Sequence, residues 1–146
     1  MRIAIGCDHA GFELKEQIIS KYSDYDFIDC GTFSADSVDY PDFGHKVGLC
    51  VLDDKDTNCS TGIVICGSGI GISIAANKLK GIRAALCHTV EHAKLSRLHN
   101  NANILALGAR LTDETVIYQI VDSFLSTEFE GDRHQNRINK IELFGT

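Results

Sequence analysis

The chain has 146 residues, 44% of them hydrophobic, with one proline, no tryptophan and a formal net charge of −6. That size suits one compact domain spanning 1–146, able to bury roughly two thirds of its unfolded surface without a disulfide or metal staple. The acidic balance excludes the broad basic face that nucleic acids or anionic membranes require, but leaves room for a small anion held by a few local arginines.

In chain order, short apolar runs alternate with helical patterns. Arg2–Cys7 (RIAIGC) reads as a buried strand, followed by a helix over about Gly11–Lys21 and a second strand at Tyr25–Asp29. Cys30–Tyr40 is polar and turn-like, and Pro41 sits where a helix to about Leu52 can begin. Thr61–Cys66 (TGIVIC) is the clearest buried strand and runs straight into a glycine-rich turn. A helix is expected over Ile72–Leu79 with Gly81 as its stop, then a strand at Gly81–Cys87 and a helix at His88–His99. Asn103–Leu107 reads as the fifth strand. Thr112, with Thr115 in the place of a capping-box glutamate, is the expected N-cap of a helix to about Leu125, and a last helix is expected over Arg133–Ile141. Strands apolar throughout and alternating with helices predict an α/β fold with a parallel sheet covered on both faces.

In such sheets ligands bind beyond the carboxyl ends of the strands. Cys7-Asp8-His9, Cys30-Gly31-Thr32, Cys66-Gly67-Ser68, Cys87-His88 and Gly108-Ala109-Arg110 all fall there. The turn after the third strand, Cys66–Gly71 (CGSGIG), has no lysine before Lys78, so it is not a nucleotide P-loop. Its GxGxG spacing also departs from the dinucleotide fingerprint GxGxxG, and no acidic residue stands about twenty positions on. A glycine turn entering a helix can instead aim several N–H groups at a developing oxyanion. Cys66 beside it, as a thiol near a helix N-terminus, can serve as a base, and the Ser68 hydroxyl can both donate and accept. Together they point to proton abstraction next to a carbonyl.

The other five cysteines, Cys7, Cys30, Cys50, Cys59 and Cys87, read as space-filling thiols. No CxxC pair and no secretory leader pattern occur, which leads us to expect a cytoplasmic protein with reduced thiols. His99 can act as an acid or base near neutral pH, or simply end a helix. Arg133 and Arg137, four apart with His134 beside the first, can form a fork for phosphate or a solvated charged face. His88 and His92 share helical i,i+4 spacing but lack a third ligand, so no metal site is expected.

Five segments in order carry a wider resemblance: "GCDHAGFELK" (Gly6–Lys15), "DYPDFG" (Asp39–Gly44), "CGSGIGISIAANKLKGIRAA" (Cys66–Ala85), "LSRLHNNANILALGAR" (Leu95–Arg110) and "EGDRHQNRI" (Glu130–Ile138). Across essentially its whole length the chain resembles the type B ribose-5-phosphate isomerases, within the wider family that includes galactose-6-phosphate isomerase subunits. The resemblance implies a Rossmann-like three-layer α/β/α sandwich with a five-stranded parallel sheet. It also implies a cofactor-free interconversion of ribose 5-phosphate and ribulose 5-phosphate through a cis-enediolate. Cys66 then matches the base, the amides of Gly67, Gly69 and Gly71 the anion hole, and Ser68, where many relatives carry threonine, the relay between O1 and O2. His99 matches the group that opens the furanose ring, with Asp8 on the ring oxygens or hydroxyls. His9, Arg133 and Arg137 match phosphate contacts, with His134 and Arg110 near them, and Tyr40 and Asn100 line the sugar site. Relatives lacking the cysteine use a glutamate just after the glycine loop, where this chain has Ile72. Family members form dimers, and some tetramers, whose sites take residues from both chains. Galactose-6-phosphate isomerases divide the active residues between two subunits, whereas this chain holds both Cys66 and His99, which favours a self-sufficient homodimer. The alternatives are a galactose- or allose-6-phosphate isomerase and, from another class, a nucleotide-binding α/β module.

Overall fold

The computed structural model describes residues 2–144. Five parallel strands, β1 (Arg2–Cys7), β2 (Asp26–Asp29), β3 (Thr61–Cys66), β4 (Ala84–Leu86) and β5 (Ile104–Gly108), form one sheet in the order β2-β1-β3-β5-β4. Between them run α1 (Phe12–Lys21), α2 (Tyr40–Leu52), the short α3 (Asp54–Thr57), α4 (Ile70–Asn77) and α5 (Val90–Asn100). After the sheet come α6 (Glu114–Ser126) and α7 (Arg133–Glu142). This is the α/β architecture expected from the sequence.

The strands are apolar throughout because both faces are covered, and successive side chains point to opposite sides. Ile3, Ile5 and Cys7, Ile63 and Ile65, and Leu105 and Leu107 face Leu14 and Ile18 of α1, Ala93 of α5 and Ile117, Ile120 and Phe124 of α6. Their alternates Ala4, Val64, Cys66, Ile104 and Ala106 face Val47 and Val51 of α2 and Ile72 and Ala76 of α4. Each fully buried Ile or Leu contributes about 1.5–3 kcal/mol, so these two layers supply most of the drive to fold. Among the described residues no helix is long and apolar enough to cross a membrane.

Several boundaries differ from the sequence expectation, each for a local reason. Helix α4 begins at Ile70 rather than Ile72, because Gly69 at φ +78° ends the turn one residue before it. Helix α5 starts at Val90, where the Thr89 hydroxyl accepts the N–H of His92. Strand β4 is shorter than Gly81–Cys87, since the Arg83 N–H goes to the Asn103 side-chain oxygen at 2.8 Å and not into the ladder. Thr112 is not the cap of α6: its N–H donates to the Gly108 carbonyl and its hydroxyl lies 3.2 Å from His88 Nδ1, leaving Asp113 at the cap position.

The chain leaves β1 for β2 on one side and later enters β3 on the other. The carboxyl ends of β1 and β3 therefore flank the point where strand order reverses, the place where open α/β sheets form a crevice. Asp8 N–H donates to the Ile65 carbonyl at 3.2 Å, which stitches the two strand ends together.

Candidate active site

At that switch point the chain turns from β3 into α4 through Cys66–Gly69. The Gly69 N–H donates to Cys66 Sγ at 3.2 Å, and the Ile70 N–H donates to Ser68 Oγ at 3.1 Å. These two bonds fix the thiol and the hydroxyl at the N-terminal end of α4. The turn requires its glycines. A Cβ at Gly69 would meet Leu86 at 2.5 Å and the backbone of Leu107 at 2.9 Å, besides adopting a left-handed φ. Gly108 is equally constrained, because a Cβ there would lie 2.5 Å from the Ser68 carbonyl oxygen. The sequence placed Gly108 at a strand end but gave no hint that it lets the loop settle against β5.

Around the loop stand the groups of the first strand end. Asp8 is buried, and its Oδ1 accepts the N–H groups of Ala10 and Gly11 at 2.9 and 3.2 Å, so it caps the single 3-10 turn His9–Gly11. His9 Nδ1 accepts the Val38 N–H at 3.2 Å, which puts the ring's N–H at Nε2, a donor suited to an anion. Arg110 lies across Gly67: a Cβ there would sit 3.5 Å from its Nη1. Its backbone N–H donates to the Gly67 carbonyl at 2.9 Å. Tyr40 begins α2 and packs so closely on Gly71 that a Cβ there would meet Tyr40 Cζ at 2.5 Å. Asp8, His9, Tyr40, Cys66, Gly67, Ser68, Gly69, Gly71 and Arg110 thus share one edge of the sheet.

His99, Asn100, Arg133, His134 and Arg137 form a second group elsewhere. Helix α5 runs antiparallel to the strands, so its C-terminal residues lie where β5 starts, whereas Cys66 pairs with Gly108 at the end of β5. The four steps from Ile104 to Gly108, at roughly 3.3 Å each, separate the two edges by ~13 Å. Within one chain His9 and Arg110 therefore do not meet Arg133 and Arg137, nor Cys66 His99.

In this second group the His99 and His134 rings stack with centroids 4.3 Å apart and planes 19° from parallel. Burial, then the positive charge of Arg133 and the neighbouring His99, lowers the pKa of His134 below its ordinary value. Glu130, to which the sequence reading gave no role, lies beside both imidazoles and 3.7 Å from Arg133 Nη1. What holds it there is a backbone bond from its N–H to the Leu98 carbonyl at 3.1 Å, a contact between distant segments that no local pattern announces. His88 and His92, discounted as ligands, join through the His88 N–H and His92 Nδ1 at 3.4 Å.

Residues 3–141 match the model of the family described as Ribose/Galactose Isomerase. The chain is 44% identical over 142 residues to ribose-5-phosphate isomerase B of Escherichia coli K12, covering 96% of this chain and 93% of that protein. A ribose-5-phosphate isomerase B structure from Clostridium thermocellum superposes with a TM-score of 0.92 at 51% identity, over 98% of this chain and 96% of that one. The enzyme of the same name from Mycoplasma genitalium, solved with bound ribulose-5-phosphate, gives 0.90 at 42% identity over 98% and 95% of the two chains. With the glycine turn at the switch point and likeness over nearly the whole length, the chain belongs to the Ribose/Galactose Isomerase family.

Proposed function

We propose that the protein is a cofactor-independent aldose–ketose isomerase that interconverts ribose 5-phosphate and ribulose 5-phosphate. The observation that supports this reading best is the Gly69 N–H donated to Cys66 Sγ at the head of α4, the arrangement expected of a thiol base beside a glycine turn. The Cys66 thiolate takes the proton from C2 of the open-chain aldose. The C2–H electrons form the C1–C2 double bond, and the carbonyl electrons move to O1, facing the amides of the Gly67–Gly71 turn. Ser68 passes the O2 proton to O1, and the Cys66 thiol returns its proton to C1 as O2 becomes the ketose carbonyl. His99 opens the furanose ring with Asp8 on the sugar oxygens, while Tyr40 and Asn100 line the sugar.

His9, with its Nε2 proton free, and Arg110 receive the phosphate from one edge; Arg133, His134 and Arg137 complete its shell. Since these two sets lie on opposite edges of one sheet, a second copy of the chain supplies His99, Asn100 and the α7 cations to the Cys66 edge. The enzyme is then a homodimer with sites between subunits. Its six free cysteines suit a reducing cytoplasm.

Turnover of ribose 5-phosphate, galactose 6-phosphate and allose 6-phosphate by wild type and Cys66→Ala tests the reading. Ribose 5-phosphate is expected to be the best substrate, with the variant slowed by about 10² or more, the scale of losing a positioned base. Near-normal turnover by the variant would remove Cys66 from the chemistry. Preference for a six-carbon sugar would reassign the substrate, and binding of ATP or NAD without sugar-phosphate turnover would make the chain a nucleotide-binding module.

A further inference from the structure

A carboxylate stands among the cations and imidazoles that the isomerase reading assigns to an anionic substrate. Glu130 Oε2 lies 3.9 Å from His99 Nε2 and 4.0 Å from His134 Nε2, while its Oε1 lies 3.7 Å from Arg133 Nη1. These gaps are too long for hydrogen bonds but short enough for attraction between opposite charges. The main chain fixes the placement. The Glu130 N–H donates to the carbonyl of Leu98, the residue before His99, at 3.1 Å. The turn from Glu130 into α7 is closed by the His134 N–H on the Gly131 carbonyl at 3.2 Å.

A negative charge in a phosphate shell opposes the phosphate, so its presence calls for a gain elsewhere in the reaction. Ring opening supplies one. The C1–O4 bond breaks with its electron pair on O4, which takes up a proton, while O1 gives up a proton as the C1–O1 double bond forms. An imidazole that serves either oxygen is positively charged on one side of that step. Of the two stacked rings, His134 is unsuited to the charge, because burial and then the charge of Arg133 disfavour its protonated form. The His99 side chain is about two fifths open to solvent and can carry it, with Glu130 as the acid beside it. We propose that Glu130 is a positioning residue for ring opening, which holds the His99 ring in place and balances its charge while opposing the phosphate. This rests on the isomerase reading and adds to it the reason for an acid in that shell.

Glu130→Gln keeps the size of the side chain and removes its charge, and steady-state kinetics in both directions test its role. Ribulose 5-phosphate is open-chain, because its C5 oxygen carries the phosphate and cannot close a ring onto C2. Only the ribose 5-phosphate direction therefore begins with ring opening. There kcat is expected to fall about 10-fold, part of the ~10²–10⁴ that a positioned acid or base contributes, while KM stays level or falls. With ribulose 5-phosphate kcat should stay within about twofold of wild type. Glu130→Asp, which restores the charge, should recover part of the rate lost with ribose 5-phosphate. A raised KM, an equal loss in both directions, an unchanged kcat, or an Asp variant no better than Gln would each overturn the proposal. If wild type turned over neither sugar, the isomerase reading would fall and the role of Glu130 with it. An active wild type with any of those outcomes would remove Glu130 alone.

Discussion

Burial alone makes a thiol a poor base, and four of the cysteines illustrate it: burial pushes Cys7, Cys59 and Cys87 up to about 11 and Cys30 to about 12. They remain protonated at neutral pH and act as packing. Cys66 stands apart in its place, at the head of α4 in a glycine turn whose Gly69 N–H meets its sulfur at 3.2 Å. His134 shows the opposite sign of the same effect, since burial and then Arg133 favour its neutral ring. Its pKa is lowered on folding, so on acidification the unfolded chain takes up the proton first, near 6.5, and the folded chain only lower. Stability is therefore expected to fall as pH drops through that window and to level off once the folded ring is also protonated. The melting temperature between about pH 7.5 and 5.5 measures this, and in His134→Asn the fall should be smaller. An identical pH profile in the variant would assign the effect to other groups.

At the level of elements, a buried cation ties α1 to the end of β2. The Lys15 side chain is fully buried, with Nζ 2.7 Å from Asp29 and 2.8 Å from Glu16. Burial pulls its pKa down, but the two carboxylates outweigh this and raise it, so the ammonium stays charged. Asp29→Asn leaves that charge short of a partner. The expected cost in a denaturant melt is ~2–4 kcal/mol, below the range for a fully buried pair because Asp29 is partly exposed. A loss under ~1 kcal/mol would show that Glu16 suffices alone.

Lysine in a helix reads as surface, which is why this pair escaped the sequence while the strands did not. RIAIGC, TGIVIC and NILAL announce themselves because a two-faced parallel sheet leaves no polar alternation. Helix starts were misplaced by a residue or two where backbone details decide, as at Gly69, Thr89 and Asp113. The Cys66 edge was legible because every member but Tyr40 follows a strand or lines the glycine turn. Glu130 was not, since only a contact with α5 gives it a place.

For the whole molecule, the decisive fact is directional. Parallel strands put Asp8, His9, Cys66 and Arg110 at their carboxyl ends, and the antiparallel return of α5 puts His99 at the other edge, ~13 Å away. No side-chain rotation closes that gap, so a site using both residues must be built from two chains. A heterodimer made by co-expressing differently tagged Cys66→Ala and His99→Asn chains tests this most directly. Each homodimer should lose ribose 5-phosphate turnover by about 10² or more. The heterodimer, holding one site with both native residues, should recover about half the wild-type rate. A heterodimer as inactive as its parents would contradict the account and return the whole reaction to a single chain.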